Sequence, residues 1–457
     1  AEYEATRDIK QKLVRQYPNK PAYQQYLAGT HNNLGHLLDG QGRSEEARVE
    51  YEAGRDIQAK LVVQFPNKAE YQQDLARILE NLGILLARQK KFQEAKSAFQ
   101  EACSIREKLC ERFPAVPEYQ AGLANTHHNL GVLFVDLKEN ESAIAEYHAA
   151  FEIRQKLARQ FPAIPAYQQS LAHTQRDQGV LLAKIGDNEN ARVQFLAARE
   201  IQKKLVDQFP DEHAYQDDWV ITLHSLGKLL AKLGRDEESR AEHLAAIDIE
   251  RNLANRYPDV AKYQIDLGGS YCNFGIQLGD ESKTAESLEW FDGAVHTLQA
   301  VQKKVPGDSI ARQYLRNSHF SRAQAYHLLN KYVEAVKDWN LAFELSSPAE
   351  RSEVLASRGI SQLQAGMVAK AFAEVGELLE KPAETANESY LFACFYAVAS
   401  SKIADKQKAY ADRAMELLHE AVQAGFKDAP LMKQDFDLDS LREREDFKKL
   451  LTELEQK

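Results

Sequence analysis

The sequence is poor in the residues that mark several common classes of protein. Its 457 residues include only 13 prolines and 22 glycines, so long disordered stretches are not expected. The longest uncharged apolar run, residues 390–400, is too short to cross a bilayer, which takes about 20 residues. The net charge is −10 and no polybasic run occurs, which argues against binding to a phosphate backbone or an anionic lipid surface. We therefore expect neither nucleic-acid binding nor membrane insertion.

Cysteine is equally scarce. Of the four cysteines, Cys103 and Cys110 fall seven residues apart in one predicted helix, which separates their Cα atoms by about 10 Å, too far for a disulfide. No pair of cysteines has zinc-finger spacing. The thiols are interpreted as small buried groups in a reducing compartment. Since no signal peptide opens the chain, a cytoplasmic location is expected.

Three residue types recur along the chain at a constant step of 48 residues. They are an aromatic residue followed by proline, a glycine and a tyrosine, and their common step identifies an internal repeat. The aromatic–proline pairs begin at Tyr17, Phe65, Phe113, Phe161, Phe209 and Tyr257. The glycines are Gly35, Gly83, Gly131, Gly179, Gly227 and Gly275, and the tyrosines are Tyr23, Tyr71, Tyr119, Tyr167, Tyr215 and Tyr263.

Each repeat has the apolar pattern of two helices. In the repeat after Pro66, apolar residues step by three or four, as they do along one face of a helix. In the first helix they are Tyr71, Leu75, Leu79, Leu82 and Leu86, and in the second Phe92, Ala95, Phe99, Ala102, Ile105 and Leu109. Glycine or asparagine separates the helices, as at Gly186 and Gly234, and proline ends the second helix because it lacks a backbone donor. Neither helix can bury its apolar stripe alone, so stacked hairpins are expected.

The pattern of small and large residues resembles that of the tetratricopeptide repeat. The residues that carry the resemblance, in order, are Leu82, Gly83, Leu86, Ala95, Phe99, Ala102 and Pro114. The usual repeat of this family has about 34 residues, so each helix here is about two turns longer. The resemblance implies an all-α fold, a right-handed α-solenoid of antiparallel helix hairpins. Long repeats of this kind are also similar to those of kinesin light chains.

The repeat spacing divides the chain into three expected regions. Residues 1–308 form the array with the 48-residue step, residues 309–382 two units of near-standard length, and residues 383–457 a degenerate unit with capping helices. Tyr3, Ile9 and Leu13 lie 48 residues before Tyr51, Ile57 and Leu61. The chain is therefore expected to start inside a repeat, with its partner helix upstream.

A second resemblance concerns a larger architecture. The segments Thr30–Leu38 and Ala414–Gly425, and the closing run that begins at Asp437, look like the repeat regions of planctomycete-type bacterial proteins. In many of these a serine/threonine kinase domain precedes the repeats. No glycine-rich nucleotide loop, HRD or DFG occurs in this sequence, so no catalytic residue is carried over and no cofactor is expected.

The first helix of each repeat is expected to line the concave groove of such a solenoid. Two residues before the repeated glycine, asparagine recurs at Asn33, Asn81, Asn129 and Asn273, interrupted by Asp177 and Ser225. An amide both donates and accepts, so it can bind the backbone of a peptide or bond to the neighbouring helix. The other groove residues are Asn32, Glu80, His128, Arg176 and His224, with His36 and Lys228 one turn further.

Two further patterns favour ordinary structural roles over metal sites. His127 and His128 are adjacent, so on a helix they point about 100° apart and cannot chelate one ion. Asp435, Asp437 and Asp439 have the spacing that opens a calcium loop, but Ser440 replaces the required glycine. That segment is interpreted as a solvated loop with a helix cap.

Two classes of function remain. The first is a non-catalytic scaffold that holds a protein or peptide in the groove, and the second is the substrate-recruiting or regulatory region of a larger kinase. Self-association through an exposed solenoid end is a third alternative, since Ile9 and Leu13 would be partly exposed to solvent.

Overall fold

The computed structural model describes residues 2–456 of the chain, and all of its regular structure there is helical. Twenty-one α-helices and three 3₁₀ helices follow one another within these residues, and no strand is present among them. Contacts divide the chain into two compact units, residues up to 246 and residues from 247 onwards. Among the described residues, no helix is both long and apolar enough to cross a membrane.

The first unit is a series of antiparallel hairpins, in which first helices of 20 or 21 residues alternate with second helices of 21 residues. A lone second helix, α1, precedes them and has no buried residue. The helices are α1 Glu2–Gln16, α2 Pro21–Gly40, α3 Ser44–Gln64, α4 Ala69–Arg88, α5 Phe92–Arg112, α6 Pro117–Asp136, α7 Asn140–Gln160, α8 Pro165–Ile185, α9 Asn188–Gln208, α10 His213–Lys232 and α11 Asp236–Arg256, within which the division between the units falls.

The structure explains the repeated glycine by the close approach of two helices. In the α4–α5 hairpin, a Cβ added at Gly83 would lie 2.7 Å from Cε1 of Phe99, so either the ring or the helix would have to shift. The ring of Phe99 is 1% exposed and fills the space that the glycine leaves. The expected apolar face of α4, from Tyr71 to Leu86, is buried throughout, which confirms the helical periodicity.

The aromatic–proline pair and the following tyrosine form the corner between repeats. The backbone N–H of Phe65 closes the last turn of α3 on the carbonyl of Leu61, and Pro66 then prevents further helix. The rings of Phe65 and Tyr71 pack edge to face with centroids 5.9 Å apart. Gln72 completes the corner by donating to the carbonyl of Pro66 at 2.8 Å.

The second unit begins with long helices and ends with short ones. Its helix α14 still has 20 residues, whereas α15 has 14, so the shortening that the sequence places after residue 308 appears first in a second helix. The three-part division of the chain stays a prediction. The helices are α12 Ala261–Asp280, α13 Thr284–Lys304, α14 Ser309–Leu328, α15 Tyr332–Leu345, α16 Arg351–Gln364, α17 Val368–Leu379, α18 Ala386–Lys402, α19 Gln407–Gln423, α20 Ala429–Gln434 and α21 Glu445–Glu455.

The tail of the second unit corrects one expectation. Residues Phe436–Leu441 form a 3₁₀ helix, and Asp437 within it is 8% exposed, so the segment is not a solvated loop. Oδ2 of Asp437 lies 3.0 Å from Nε2 of His327, and Oδ1 accepts from Gln364 at 2.9 Å. The expected cap is present, because Asp435 accepts from the backbone N–H of Asp437. Asp437 thus anchors the tail to helices α14 and α16.

Candidate binding face on the first helices

Successive first helices of the first unit lie side by side and form one face. Helix α2 contacts α4, α4 contacts α6, α6 contacts α8 and α8 contacts α10. Polar side chains on adjacent first helices contact each other across this face. The paired residues are 49 positions apart in sequence, one more than the repeat step. We call this set of contacts the polar ladder; its pairs are Gln25–Asp74, Asn32–Asn81, Asp39–Arg88, Glu80–Asn129, His128–Asp177 and Gln169–Asp218.

Three of the predicted asparagines, Asn32, Asn81 and Asn129, belong to the ladder. Nδ2 of Asn81 donates to Oδ1 of Asn32 at 2.9 Å, and Nδ2 of Asn129 donates to Oε1 of Glu80 at 3.0 Å. Asn32 is buried, whereas Asn33 is exposed. Within the described residues, Oδ1 of Asn81 and of Asn129 accepts no hydrogen bond. Both asparagines therefore bond the neighbouring helix with one end of the amide and leave the other end to accept.

Further along the face, an ionic cluster replaces the amides. Asp177 lies 3.2 Å from Nε2 of His128 and accepts from Nε of Arg176 at 2.9 Å. Burial, and then the positive charge of Arg154, lower the pKa of His128 to about 3, so its ring is neutral at pH 7. Nδ1 of His128 is buried and has no hydrogen-bond partner among the described residues.

The remaining predicted groove residues are more scattered. His36 and Lys228 are exposed, on α2 and α10 respectively. Nδ1 of His224 lies 2.8 Å from Nδ1 of His243 on the second helix of the same hairpin, so it packs inside the hairpin. Asn273 is exposed on α12, in the second unit.

Sequence reasoning missed the buried arginine at the base of this face. Arg154, on α7, is 6% exposed. Its Nη1 donates to the carbonyl of Ser170 at 2.9 Å and to the hydroxyl of Thr174, and its Nη2 donates to Oδ1 of Asn125 at 2.8 Å. No carboxylate lies within ion-pair distance of it among the described residues, and its Nε has no hydrogen-bond partner there. A small pocket opens beside the guanidinium, lined by Ala121, Asn125, Arg154, Leu157, Tyr167 and Ser170.

The equivalent arginine one repeat earlier shows what Arg154 lacks. Arg106 makes the same bond to a first-helix carbonyl, that of Gly122, at 2.7 Å, and it also donates to Oε2 of Glu80 at 2.8 Å. His128 occupies the position of Glu80 in the repeat of Arg154. Burial lowers the pKa of Arg154 to about 10, although Asp177 and Glu80 raise it in part. The guanidinium is still charged at pH 7, and it is buried without the carboxylate that Arg106 has.

A different cluster lies where α5, α6 and α7 meet. Sγ of Cys103 lies 3.7 Å from Oε1 of Glu107 and 3.8 Å from Nε2 of His127. The opposite ring nitrogen of His127, Nδ1, lies 2.6 Å from Oε2 of Glu146. From sequence, Cys103 is expected to be a small buried group and His127 a packing residue, because 24 residues separate them and no motif joins them.

Comparisons with known proteins address the repeat and the fold. The family model of the tetratricopeptide repeat matches residues 75–114. The apo form of RapI has a TM-score of 0.52 at 11% identity, with 87% of this chain and 99% of RapI covered, which shows a similar fold. The apo quorum sensor NprR from B. thuringiensis has a TM-score of 0.44 at 15% identity, with 75% of this chain and 82% of NprR covered. BtubC from P. vanneervenii has a TM-score of 0.44 at 19% identity, with 55% of this chain and 89% of BtubC covered. No curated protein sequence matches the chain.

Proposed function

We propose that this chain, which is an array of tetratricopeptide repeats, is a non-catalytic binding protein that holds an extended acidic segment of a partner protein. The segment lies on the first-helix face of the first unit, across α4, α6 and α8. The kinase linkage that the planctomycete resemblance implies stays a prediction. So does self-association through α1, where Ile9 is 59% exposed.

The observation that carries the proposal is the unpaired charge of Arg154. A buried charge is costly unless it is paired and hydrogen-bonded, and Glu80 meets that need for Arg106. At Arg154 the place beside Nη2 is taken by the amide of Asn125, whose side chain is otherwise exposed. A carboxylate from a ligand can displace that amide and form a charge-assisted hydrogen bond, which is about twice as strong as a neutral one.

The asparagines supply a second, weaker set of contacts for the same segment. Asn129 lies one turn along α6 from Asn125, so the two face the same way. Its free Oδ1, and that of Asn81, can accept from backbone N–H groups of an extended chain. The ligand's carboxylate binds Arg154, and its backbone N–H groups bind the asparagines. Together these contacts fix both the position and the direction of the bound segment.

The test is a selection of random peptides on the immobilised chain. We expect the enriched peptides to carry Asp, Glu or a free C-terminal carboxylate. The substitution Arg154→Gln should weaken their binding about 10- to 100-fold, since a hydrogen bond to a charged group contributes roughly 1.5–3 kcal/mol. This variant should fold normally, because Gln58 and Gln202 occupy the equivalent position in other repeats.

A matched control removes an arginine that is already paired. The substitution Arg48→Gln removes a guanidinium of the second helix α3 that already pairs with Glu52 and Glu94, and it should leave the affinity for the selected peptides within about threefold. Enriched peptides that bind the Arg154→Gln variant unchanged would refute the acidic anchor while leaving a peptide-binding face. A selection that enriches no peptide would refute the binding face itself.

A further inference from the structure

Three potential metal ligands converge on one point between α5 and α6. Sγ of Cys103, an oxygen of Glu107 and a ring nitrogen of His127 all lie within 4.8 Å of one another. Cys103 and Glu107 are four residues apart on α5, which places them on the same helix face. His127 reaches the same point from α6, the first helix of the next repeat.

The distances suit a tetrahedral ion. With Zn–S of about 2.3 Å and Zn–N of about 2.0–2.1 Å, tetrahedral geometry separates sulfur from nitrogen by about 3.5 Å. The observed separation of Cys103 Sγ from His127 Nε2 is 3.8 Å, and that of Sγ from Glu107 Oε1 is 3.7 Å. Both distances to the sulfur therefore exceed tetrahedral values by only a few tenths of an ångström, and the third separation, from the Glu107 oxygen to the His127 nitrogen, is at most 4.8 Å.

The outer contacts of His127 also match those of a metal ligand. A histidine that binds a metal through one nitrogen generally donates its other N–H to a carboxylate or carbonyl, which fixes the ring and raises its basicity. Here Glu146 lies 2.6 Å from Nδ1 and leaves Nε2 directed at the thiol. Glu146 belongs to α7, so the arrangement joins three consecutive helices.

The His–Glu pair is itself a repeated structural contact. Nδ1 of His31 lies 2.6 Å from Glu50, and Nδ1 of His319 lies 2.7 Å from Asp338. What distinguishes the His127 pair is the residue facing it from the preceding second helix. In the first repeat, Arg7 occupies the position equivalent to Cys103 and donates to Glu50 at 2.6 Å. Beside His127, the preceding second helix instead provides Cys103 and Glu107. The first repeat is thus a natural control without ligands.

We propose that Cys103, Glu107 and His127 form a zinc site, with the fourth coordination position open to water. Thiolate and imidazole favour Zn²⁺ over Mg²⁺ or Ca²⁺, which prefer oxygen ligands. The bound ion links α5 to α6 and, through Glu146, orders α7. It therefore stabilises the first unit at the junction of two repeats.

Binding at this site displaces one proton from the thiol. The form of cysteine that binds a metal is the thiolate, whereas a free thiol is mainly protonated at pH 7. The S–H bond breaks, the sulfur lone pair forms the bond to the ion, and the proton passes to the buffer. About one proton is therefore released per ion bound.

The experiment uses the metal-free full chain and Co²⁺ as a coloured substitute for Zn²⁺. Cobalt should produce a thiolate-to-metal charge-transfer absorption, Zn²⁺ should displace it, and Zn²⁺ should raise the melting temperature. The variants Cys103→Ser and His127→Gln should each abolish the thiolate absorption or weaken binding more than 100-fold. Glu146→Gln, which removes an outer contact only, should weaken binding about 10- to 100-fold.

Two variants serve as controls. His31→Gln alters the equivalent His–Glu pair, and Cys110→Ser alters the other thiol of α5; both should bind cobalt like the unmodified chain. The proposal is overturned by an absence of thiolate absorption, or by absorption that persists unchanged in Cys103→Ser or His127→Gln. Where a variant fails to fold, X-ray absorption of the zinc-loaded wild-type chain decides, since the site requires one sulfur and otherwise nitrogen and oxygen ligands.

Discussion

At the scale of single residues, glycine has two opposite effects within the helices of this chain. A Cβ at Gly29 of α2 would meet no atom within 4 Å, whereas one at Gly83 would lie 2.7 Å from the ring of Phe99. We expect Gly29→Ala to stabilise the chain by about 1 kcal/mol, because alanine has the higher helix propensity. Gly83→Ala should destabilise it by about 1–3 kcal/mol through overpacking. Urea denaturation of both variants gives the comparison, and equal stability of the two would show that the hairpin widens freely.

Single residues also show where sequence reasoning stops. The glycine and aromatic series could be predicted because each member recurs at the same step. The partners of Asn81 and Asn129 could not, because the 49-residue offset of the polar ladder depends on how adjacent first helices are shifted. Arg154 was missed for a related reason: its exceptional feature is the absence of a carboxylate on a neighbouring helix, which only the packed hairpins reveal.

At the scale of the helix, the second helix of each hairpin in the first unit places a ring against the repeated glycine, and in one hairpin that ring is histidine. His243 of α11 faces Gly227 at the position that Phe195 and Tyr147 hold in other repeats. Burial, and then the charges of His224 and Lys228, lower its pKa from 6.5 to about 4. The unfolded chain thus takes up a proton near pH 6.5 that the folded chain resists until about pH 4. Stability is lost as the pH falls through this range.

Replacement of this ring should remove part of that acid sensitivity. We expect His243→Phe to fold at least as well as the wild-type chain at pH 7, because phenylalanine closes the equivalent hairpin at Phe195. Between pH 6.5 and 4 the variant should lose up to about 3 kcal/mol less stability than the wild-type chain. Some slope remains from His128, whose pKa burial lowers to about 3. Urea midpoints measured across this range test the idea, and an unchanged slope would contradict it.

At the scale of the whole molecule, the two units differ in how far along the sequence their polar contacts reach. In the first unit the polar ladder joins residues 49 positions apart in sequence, so each contact links one repeat to the next. In the second unit Asp437 bonds residues 73 and 110 positions earlier, Gln364 and His327. The 48-residue step predicts neighbour-to-neighbour contacts of the first kind. It holds no information about a tail that returns to α14 and α16, which is why Asp437 was expected to be solvated.

This difference should determine how a local change spreads. The substitution Asp437→Ala leaves partly buried groups of His327 and Gln364 without their carboxylate, at a cost of about 1–3 kcal/mol. We expect amide hydrogen exchange to accelerate together in α14, in α16 and in residues 436–441, while exchange in α4 and α6 stays unchanged, because a repeat array transmits stability mainly between neighbours. Asp439→Ala is the control, since Asp439 holds only an exposed ion pair with Arg442 and should alter exchange little. Acceleration confined to the tail itself would mean that α14 and α16 are stable without the returning segment, and that the second unit is as local in its energetics as the first.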